Sequence, residues 1–442
     1  MIQKLNLVLI AACGMNSSAL LAQDLRPETE GSAVVTVRDE EKPFRVTAES
    51  SSLPATQSTH LDEEVSAVPK RFQYGIRLTF RGVYDDNIFL RQTDRVADFY
   101  FAIEPGITLG YGDIVGRERN YLRFDYAPSI FLYADHSDAN AIQHVLRLEG
   151  YYGFGRLSLT LSQDVQLLES ANPASLTSTS TSNPGPAVNL DAGGDAQVNI
   201  YTTHAVLAYD LTGKTFLSGG LHFVASDYAS LISSQTISGD LFINYNYSPK
   251  LVIGVGGTAG YNWVDSPNPD QTFEQVNVRM TYQATGKISM NGSVGVEFRQ
   301  FDDSSNSSGT YVSPVYEIGA TYQPFDGTSL SLRGSRRTLN SAVLQAQDYA
   351  STNITFGARQ RLLRRIYLGL VLGYENSSYF STAAGVDASR EDNYFIVQPA
   401  VDVTITNFWT VGAYYLHREN NSSTETFSFD DNQIGLRTSL IF

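Results

Sequence analysis

The sequence predicts an all-β protein, a transmembrane antiparallel up-and-down β-barrel of about 18 strands preceded by a disordered N-terminal tether. Three observations predict it. Segments of roughly ten residues with an apolar side chain at every second position recur from Tyr74 to the C-terminus. The connections between them alternate between long and short. The final segment alternates into a terminal aromatic residue, Phe442.

At the N-terminus, Lys4 precedes the apolar run Leu5 to Ala12, and small residues follow to Ala22, which together read as a signal peptide over residues 1–22. Cleavage after Ala19 is the alternative to cleavage after Ala22. Ile10-Ala11-Ala12-Cys13 offers a further alternative, a lipoprotein site that places an acyl chain on Cys13. Residues 23–71 are rich in Ser, Thr, Glu and Pro, carry ten acidic and six basic residues, and show no sustained periodicity. They read as a disordered periplasmic tether. The barrel is expected over residues 72–442.

In chain order the alternating segments begin near Tyr74, Phe99, Asn120, Ile142, Leu157, Ile200, Lys214, Ile237, Lys250, Phe273, Ile288, Thr310, Ser329, Thr352, Ile366, Asn393, Phe408 and Gln433. The first puts Tyr74, Ile76, Leu78 and Phe80 on one face and Arg77, Thr79 and Arg81 on the other. The ninth aligns Leu251, Ile253, Val255, Gly257, Ala259, Tyr261 and Trp263, and the fifteenth aligns Ile366, Leu368, Leu370, Leu372 and Tyr374. An even strand number suits single-chain bacterial outer-membrane barrels. Nine connections are long, such as Asp85 to Asp98, Ser170 to Asp195, Ser377 to Glu391 and Arg418 to Asp431. Eight are short, such as Gly112 to Gly116, Thr212-Gly213 and Thr406-Asn407. That asymmetry puts both N- and C-termini on the short-turn, periplasmic side.

Composition points the same way. Gly, Tyr and Phe number 35, 26 and 23 against 4 Met, a β-rich usage. No window holds about 18 consecutive apolar residues, which excludes a transmembrane helix. The single cysteine excludes a disulfide framework, and a net charge of −15 argues against nucleic acid as a partner. In hydrocarbon every backbone N–H and C=O needs an internal partner, so a spanning sheet has to close on itself. Aromatics near segment ends, among them Tyr111, Tyr209, Tyr247, Trp263, Tyr282, Tyr322, Tyr374 and Trp409, match the girdle expected at membrane interfaces.

Ile434, Leu436, Thr438, Leu440 and Phe442 share one face of the last segment. This resembles the C-terminal signature read by the barrel-assembly machinery, which makes Phe442 the expected assembly signal and that machinery an expected partner. Between the first two segments, Tyr84-Asp85-Asp86-Asn87-Ile88-Phe89 is followed by Asp98 and by Glu104-Pro105-Gly106-Ile107. This resembles the opening of the β-barrel porin-2 family, over residues 72–442. The resemblance implies an outer-membrane channel of a Gram-negative-type bacterium, of a kind that often accompanies exopolysaccharide-production genes. The partners it implies are outer-membrane lipid and lipopolysaccharide, together with polysaccharide-export components.

Read inward, the alternation gives a lumenal set: Arg77, Arg81, Arg123, Arg147, Arg279, Arg299, Arg333, Arg337, Arg359, Arg361 and Arg437, with Glu104, Asp125, Glu149, Asp164, Glu297, Glu317, Glu375 and Asp402. Cations outnumber anions there, so the wall is expected to be mildly basic although the chain is acidic. Arg333, Arg337, Arg359 and Arg361, on neighbouring segments, are the expected constriction patch. Arg279, Arg299 and Glu297 are further pore-lining candidates. The competing reading is a set of interior ion pairs that brace a wide barrel.

Asp85-Asp86-Asn87, Asp302-Asp303 and Asp430-Asp431-Asn432 fall at outer strand ends. They read as turn-forming residues, since none has the full ligand spacing of a calcium loop, with oxygen ligands for calcium or for divalent ions that bridge to lipopolysaccharide as the alternative, and no metal or other cofactor is expected. Catalytic signatures fail. Gly213-Lys214-Thr215 lacks the upstream glycine of a phosphate loop, and Gly254, Gly256, Gly257 and Gly260 miss the dinucleotide spacing. Neither His-Glu-x-x-His nor Gly-x-Ser-x-Gly occurs. No enzyme is expected; an outer-membrane hydrolase would have to recruit His144, His204 or His222. The expected function is a porin-like channel for small solutes or saccharides, with a structural anchor of a surface-polysaccharide or export assembly as the alternative.

Overall fold

The computed structural model describes residues 72–114, 120–169, 196–302, 310–383 and 385–442. The expected signal peptide, Cys13, the tether and the Ser170–Asp195 connection lie outside the described residues.

Eighteen strands follow one another: β1 (Phe72–Asp85), β2 (Asp98–Gly112), β3 (Tyr121–Tyr133), β4 (Ala141–Phe154), β5 (Leu157–Leu168), β6 (Val198–Asp210), β7 (Thr215–Tyr228), β8 (Ser234–Ser248) and β9 (Leu251–Val264), then β10 (Gln271–Thr285), β11 (Ile288–Phe301), β12 (Tyr311–Tyr322), β13 (Thr328–Asn340), β14 (Gln347–Leu362), β15 (Ile366–Ser381), β16 (Glu391–Thr406), β17 (Trp409–Ser422) and β18 (Phe429–Ile441). Each pairs antiparallel with its neighbours in the chain, and β1 also pairs with β18, so the sheet closes into a barrel. Each strand starts within five residues of the segment read from the sequence.

The strands are longer than the segments, from 12 to 16 residues. β15 runs on to Ser381 and β17 to Ser422, so the connections expected at Ser377–Glu391 and Arg418–Asp431 shrink to 382–390 and 423–428. At that end neither face meets hydrocarbon, polar residues occupy both, and the alternation that marks a strand fades. The opposite correction falls at β2–β3, whose connection occupies 113–120 rather than Gly112–Gly116. Gly112 opens it at φ +84°, and the Asn120 carbonyl leaves no room for a Cβ there.

One parity holds around the barrel. Arg81 faces Ala102 on β2 and Arg437 on β18, and every side chain on their side points into the lumen. The other parity carries the apolar residues, which are exposed: Leu221, Leu241, Val276 and Leu436 all exceed 60%. A belt of that extent on a closed sheet is stable when hydrocarbon covers it. No helix among the described residues is long and apolar enough to cross a membrane; the strands provide the crossing. Tyr111, Tyr209, Tyr247, Tyr322, Trp409 and Phe442 point outward near the short-turn end and Trp263 near the other, while Tyr374 points outward from the middle of the lengthened β15.

The ladder is interrupted where proline removes a donor. β2–β3 pairing passes from Ile103↔Ile130 to Ile107↔Tyr126, skipping Pro105 and Pro128. β16–β17 pairing skips Pro399. β12–β13 pairing stops at Tyr316↔Arg336, and Pro314 lies in the part of β12 that pairs with β11 alone. Beyond that point β13 stays with β14 up to Asn340↔Asp348, and β14 stays with β15. Asp348, Tyr349, Ala350 and Ser351 are all buried. Consecutive strand residues point to opposite faces, so both faces of β14 are covered here and the β13–β14 hairpin tip leans into the barrel. Behind it the Tyr311 ring of β12 stacks on Phe380 of β15 at 4.0 Å.

Closure rests on the last residue as well. The Phe442 N–H donates to the Ile76 carbonyl (2.8 Å), the Ile76 N–H donates to the Phe442 carbonyl (3.0 Å), and the Phe442 ring stacks on Phe408. Deleting Phe442 is therefore expected to reduce the fraction of chain that runs as compact, heat-modifiable barrel in unboiled detergent gels. An unchanged fraction would show that closure does not need this residue.

Candidate functional site

The candidate site is the inner wall and the loop that crosses its mouth. By register, all eleven arginines and eight carboxylates of the expected lumenal set share the inner face. The expected basic excess does not survive. Asp85, Asp98, Asp210, Asp240, Asp392 and Asp431 have the same parity, with Arg418 as the one further cation on the described strands. Four of those six carboxylates sit at the long-connection ends of their strands, where the alternation no longer identifies a face.

The charges divide by sector. From β15 through β18 and β1 to β5 most are paired, while Arg77, Asp85 and Glu375 form no ion pair among the described residues. Arg81 meets Glu104 at 2.6 Å and Tyr414 at 3.1 Å, Arg437 meets Asp402 at 2.6 Å, Arg418 meets Asp431 at 2.6 Å, and Arg123 meets Asp125 at 2.7 Å. Arg147 lies between Glu149 and Asp164. Between these pairs, Val83, Tyr100, Phe131, Tyr394, Ile396, Tyr414, Leu416 and Phe429 form a buried apolar cluster on the inner face. The sequence does not separate these residues from other inward ones, because an inward aromatic looks the same whether it packs or faces water.

From β8 to β14 the wall is different. Arg279, Arg333 and Arg337 form no ion pair among the described residues. Arg279 reaches neutral acceptors instead, Asn244 Oδ1 (2.8 Å) and Ser218 Oγ, and lies 4.1 Å from the Phe242 ring centroid. Gly254 makes this possible: a Cβ there would collide with Asn244 Oδ1 and press on the Arg279 stem. Arg359 lies over the Tyr367 ring at 4.7 Å.

The four arginines expected to form one constriction patch are not at one level. Arg361 is beside Gly327 at the short-turn end, Arg359 lies opposite Ser329, Arg333 opposite Thr355, and Arg337 opposite Ser351. The span from the first to the last is about ten residues of strand, or roughly 30 Å. They form a column along the pore axis. Arg299 and Glu297 are elsewhere and paired to each other at 2.9 Å. Arg299 also donates to Gln271, which donates to Asp348 at 3.2 Å, so this pair anchors the root of the inward hairpin.

The narrowing comes from loop 341–346 at the hairpin tip. The Ile232 N–H of the β7–β8 connection donates to the Ala342 carbonyl (2.9 Å), and Ala342 packs with Leu168, Val198, Ile200 and Tyr228. β5 is eight strands from β13 in an 18-strand ring, so the loop crosses nearly the full mouth. The Ala346 N–H donates to Asn268 Oδ1 (2.7 Å), and the Thr382 N–H to the Ala346 carbonyl (2.9 Å). Nothing in the sequence marks this segment except a loss of alternation after Asn340.

The candidate histidines separate. His144 points outward, to the Tyr126 hydroxyl (2.9 Å). His204 and His222 meet on the inner wall through their Nδ1 atoms at 2.5 Å, and His222 Nε2 meets Asp240 Oδ1 at 2.5 Å. Ser162 faces His204 in register, yet neither its Oγ nor His204 Nε2 makes a hydrogen bond, so no nucleophile is joined to this row.

No protein-family model and no curated protein sequence matches the chain. Solved structures similar to it include OccK1 (OpdK) of Pseudomonas aeruginosa, with 10% identity, a TM-score of 0.41 and coverage of 84% of this chain and 99% of that one. OpdO of the same organism gives 10% identity and a TM-score of 0.43, with 84% and 98% covered. OccAB3 of Acinetobacter baumannii gives 11% and 0.42, with 84% and 99% covered.

The two sectors should respond differently to neutralisation. Glu104→Gln leaves the buried Arg81 charge unbalanced and is expected to lower unfolding stability by about 3–5 kcal/mol, the usual cost of breaking a buried pair. Arg333→Gln removes no partner and is expected to change it by less than about 1 kcal/mol. Urea unfolding of both variants in lipid vesicles checks this; equal losses would refute the division.

Proposed function

We propose that the chain is a porin-like channel in the outer membrane of a Gram-negative-type bacterium, admitting small anionic or hydroxyl-rich solutes, saccharides among them. The observation that carries the reading is the column of arginines on β13–β14, joined by Arg279 on β10 in the same sector, on the inner face of a closed sheet whose outer face is apolar. An 18-strand ring is too wide to be filled by wall side chains, so such cations meet water and passing solute. With the short turns and both chain termini periplasmic, loop 341–346 lies at the external mouth and limits what enters. A place beside polysaccharide-export components rests on the resemblance at residues 84–107.

Two measurements in planar bilayers test the reading. Replacing Arg333, Arg337, Arg359 and Arg361 together with Glu should move the reversal potential toward cation selectivity, and more so at about 0.1 M than at 1 M salt, where screening is stronger. Selectivity that does not change would remove the column from the conduction path, and a wild-type barrel that conducts no ions would favour an anchoring role.

Replacing residues 341–346 with a short glycine linker should raise single-channel conductance several-fold, because it removes the segment that crosses the mouth. Unchanged conductance would place the narrowest point elsewhere.

A further inference from the structure

Two of the three Asp-Asp motifs come together in space. β1 ends at Asp85 and pairs with β18 from Gln433, so Asp85-Asp86-Asn87 and Asp430-Asp431-Asn432 meet at the seam that closes the barrel. Asp85 does make a local turn contact, accepting the Asn87 N–H at 2.8 Å. Its other oxygen accepts from Gln433 at 2.7 Å. Asp86 accepts the Asn432 N–H at 2.7 Å and the Asn432 side-chain amide at 2.8 Å. The Asn87 side chain donates to the Arg91 and Asp430 carbonyls, which binds the β1–β2 connection to the same place.

Turn formation does not account for the charge. Asp85, Asp86 and Asp431 each offer a carboxylate oxygen within 4.8 Å of the other two. Asp85 and Asp431 have no exposed surface. One cation, Arg418, balances them, through Asp431 Oδ2 at 2.6 Å, while Asp430 is engaged by Arg95. Asp431 Oδ1 is buried and accepts no hydrogen bond. Asp85 and Asp431, both closed to water, share one guanidinium, and the partly exposed Asp86 adds a third carboxylate, an excess of negative charge that is costly without a counter-ion.

We propose that Asp85, Asp86 and Asp431 bind a divalent cation, calcium, that staples the first strand to the last. A cation of charge two neutralises the excess, and Asp431 Oδ1 supplies an oxygen with no other partner. The donors are hard oxygens, which select calcium or magnesium over zinc, and their irregular arrangement suits calcium better than the strict octahedron of magnesium. Held there, the ion ties β1, β18 and the base of the β1–β2 connection together at the point where closure is completed.

The test is calorimetric titration of calcium chloride into the full-length folded barrel in lipopolysaccharide-free detergent, after treatment with EDTA. One saturable site per chain is expected, with a melting temperature several degrees higher in calcium than in EDTA. Asp431→Asn should abolish both effects. Asp86→Asn, at a partly exposed position, should weaken binding by at least about tenfold and keeps the test open if the first variant does not fold. Asp302→Asn, at another strand end, should change neither. Absence of saturable binding to the wild-type barrel, with equal melting in calcium and EDTA, would overturn the proposal and leave Asp85 and Asp431 to share a proton. Binding that survives in both Asp431→Asn and Asp86→Asn would place the ion elsewhere and overturn it too.

Discussion

Every strand of this protein depends on the pairing of β1 with β18. A sheet in hydrocarbon cannot leave an edge, because each unpaired N–H or C=O there costs several kcal/mol. Nine residue pairs between β1 and β18, extended by Phe442 on Ile76, remove that edge. Closure also fixes parity. Once Arg81 and Arg437 face each other, a slip of one residue anywhere would turn arginines toward lipid and leucines toward water. Register is thus specified around the whole ring by one transfer free energy applied on every strand.

The departures from a regular cylinder have local chemical causes. Proline cannot donate to a ladder, and the described strands skip pairing where Pro105, Pro128 and Pro399 lie. At Pro314 the consequence is larger, since β13 and β14 continue inward together while β12 stays with β11. The hairpin can leave the wall because its polar atoms find partners inside: Asp348 through Gln271 and Arg299, and Ala346 through Asn268 and Thr382. Ala346 adopts a positive φ of 54°, a conformation alanine takes only where neighbours impose it. The loop is therefore held by several contacts at once.

Much of this architecture is legible in the sequence, for a physical reason. Alternation appears wherever one face meets lipid and the other water, so strand number, order and the inward set around Arg333 or Arg359 follow from periodicity. The signal fails where that asymmetry ends. At the long-connection ends Arg418 and Asp431 belong to strand stretches that are polar on both faces, and the sequence reads them as loop, as it does Asp98 at the start of β2. Asp348 is a sharper case: its parity is outward, and only the hairpin's inclination buries it. The grouping of Arg333, Arg337, Arg359 and Arg361 fails for a different reason. Nearness in sequence places residues on neighbouring strands, whereas height along the pore depends on antiparallel register, which periodicity does not reveal. The meeting of Asp86 with Asp431 likewise joins residues at opposite ends of the barrel sequence, and no local pattern announces it.

An 18-strand ring has more interior wall than its stability requires, and this chain uses the surplus unevenly. The sector from β15 through β1 to β5 is filled with Tyr100, Phe131, Tyr414 and Leu416 around neutralised pairs such as Arg81 with Glu104. Each such arginine spends its charge on its partner and projects little field. The sector from β8 to β14 keeps Arg279 on neutral supports and Arg333 without an ion pair among the described residues, where their field reaches the lumen. Loop 341–346 runs from the second sector toward β5 and β6, so a solute that enters beneath it meets cations on one side and packed side chains on the other. A rigid sector and a charged one in the same closed sheet let substitutions tune the pore without loosening the barrel, because the residues that set the field are not the ones that hold the strands.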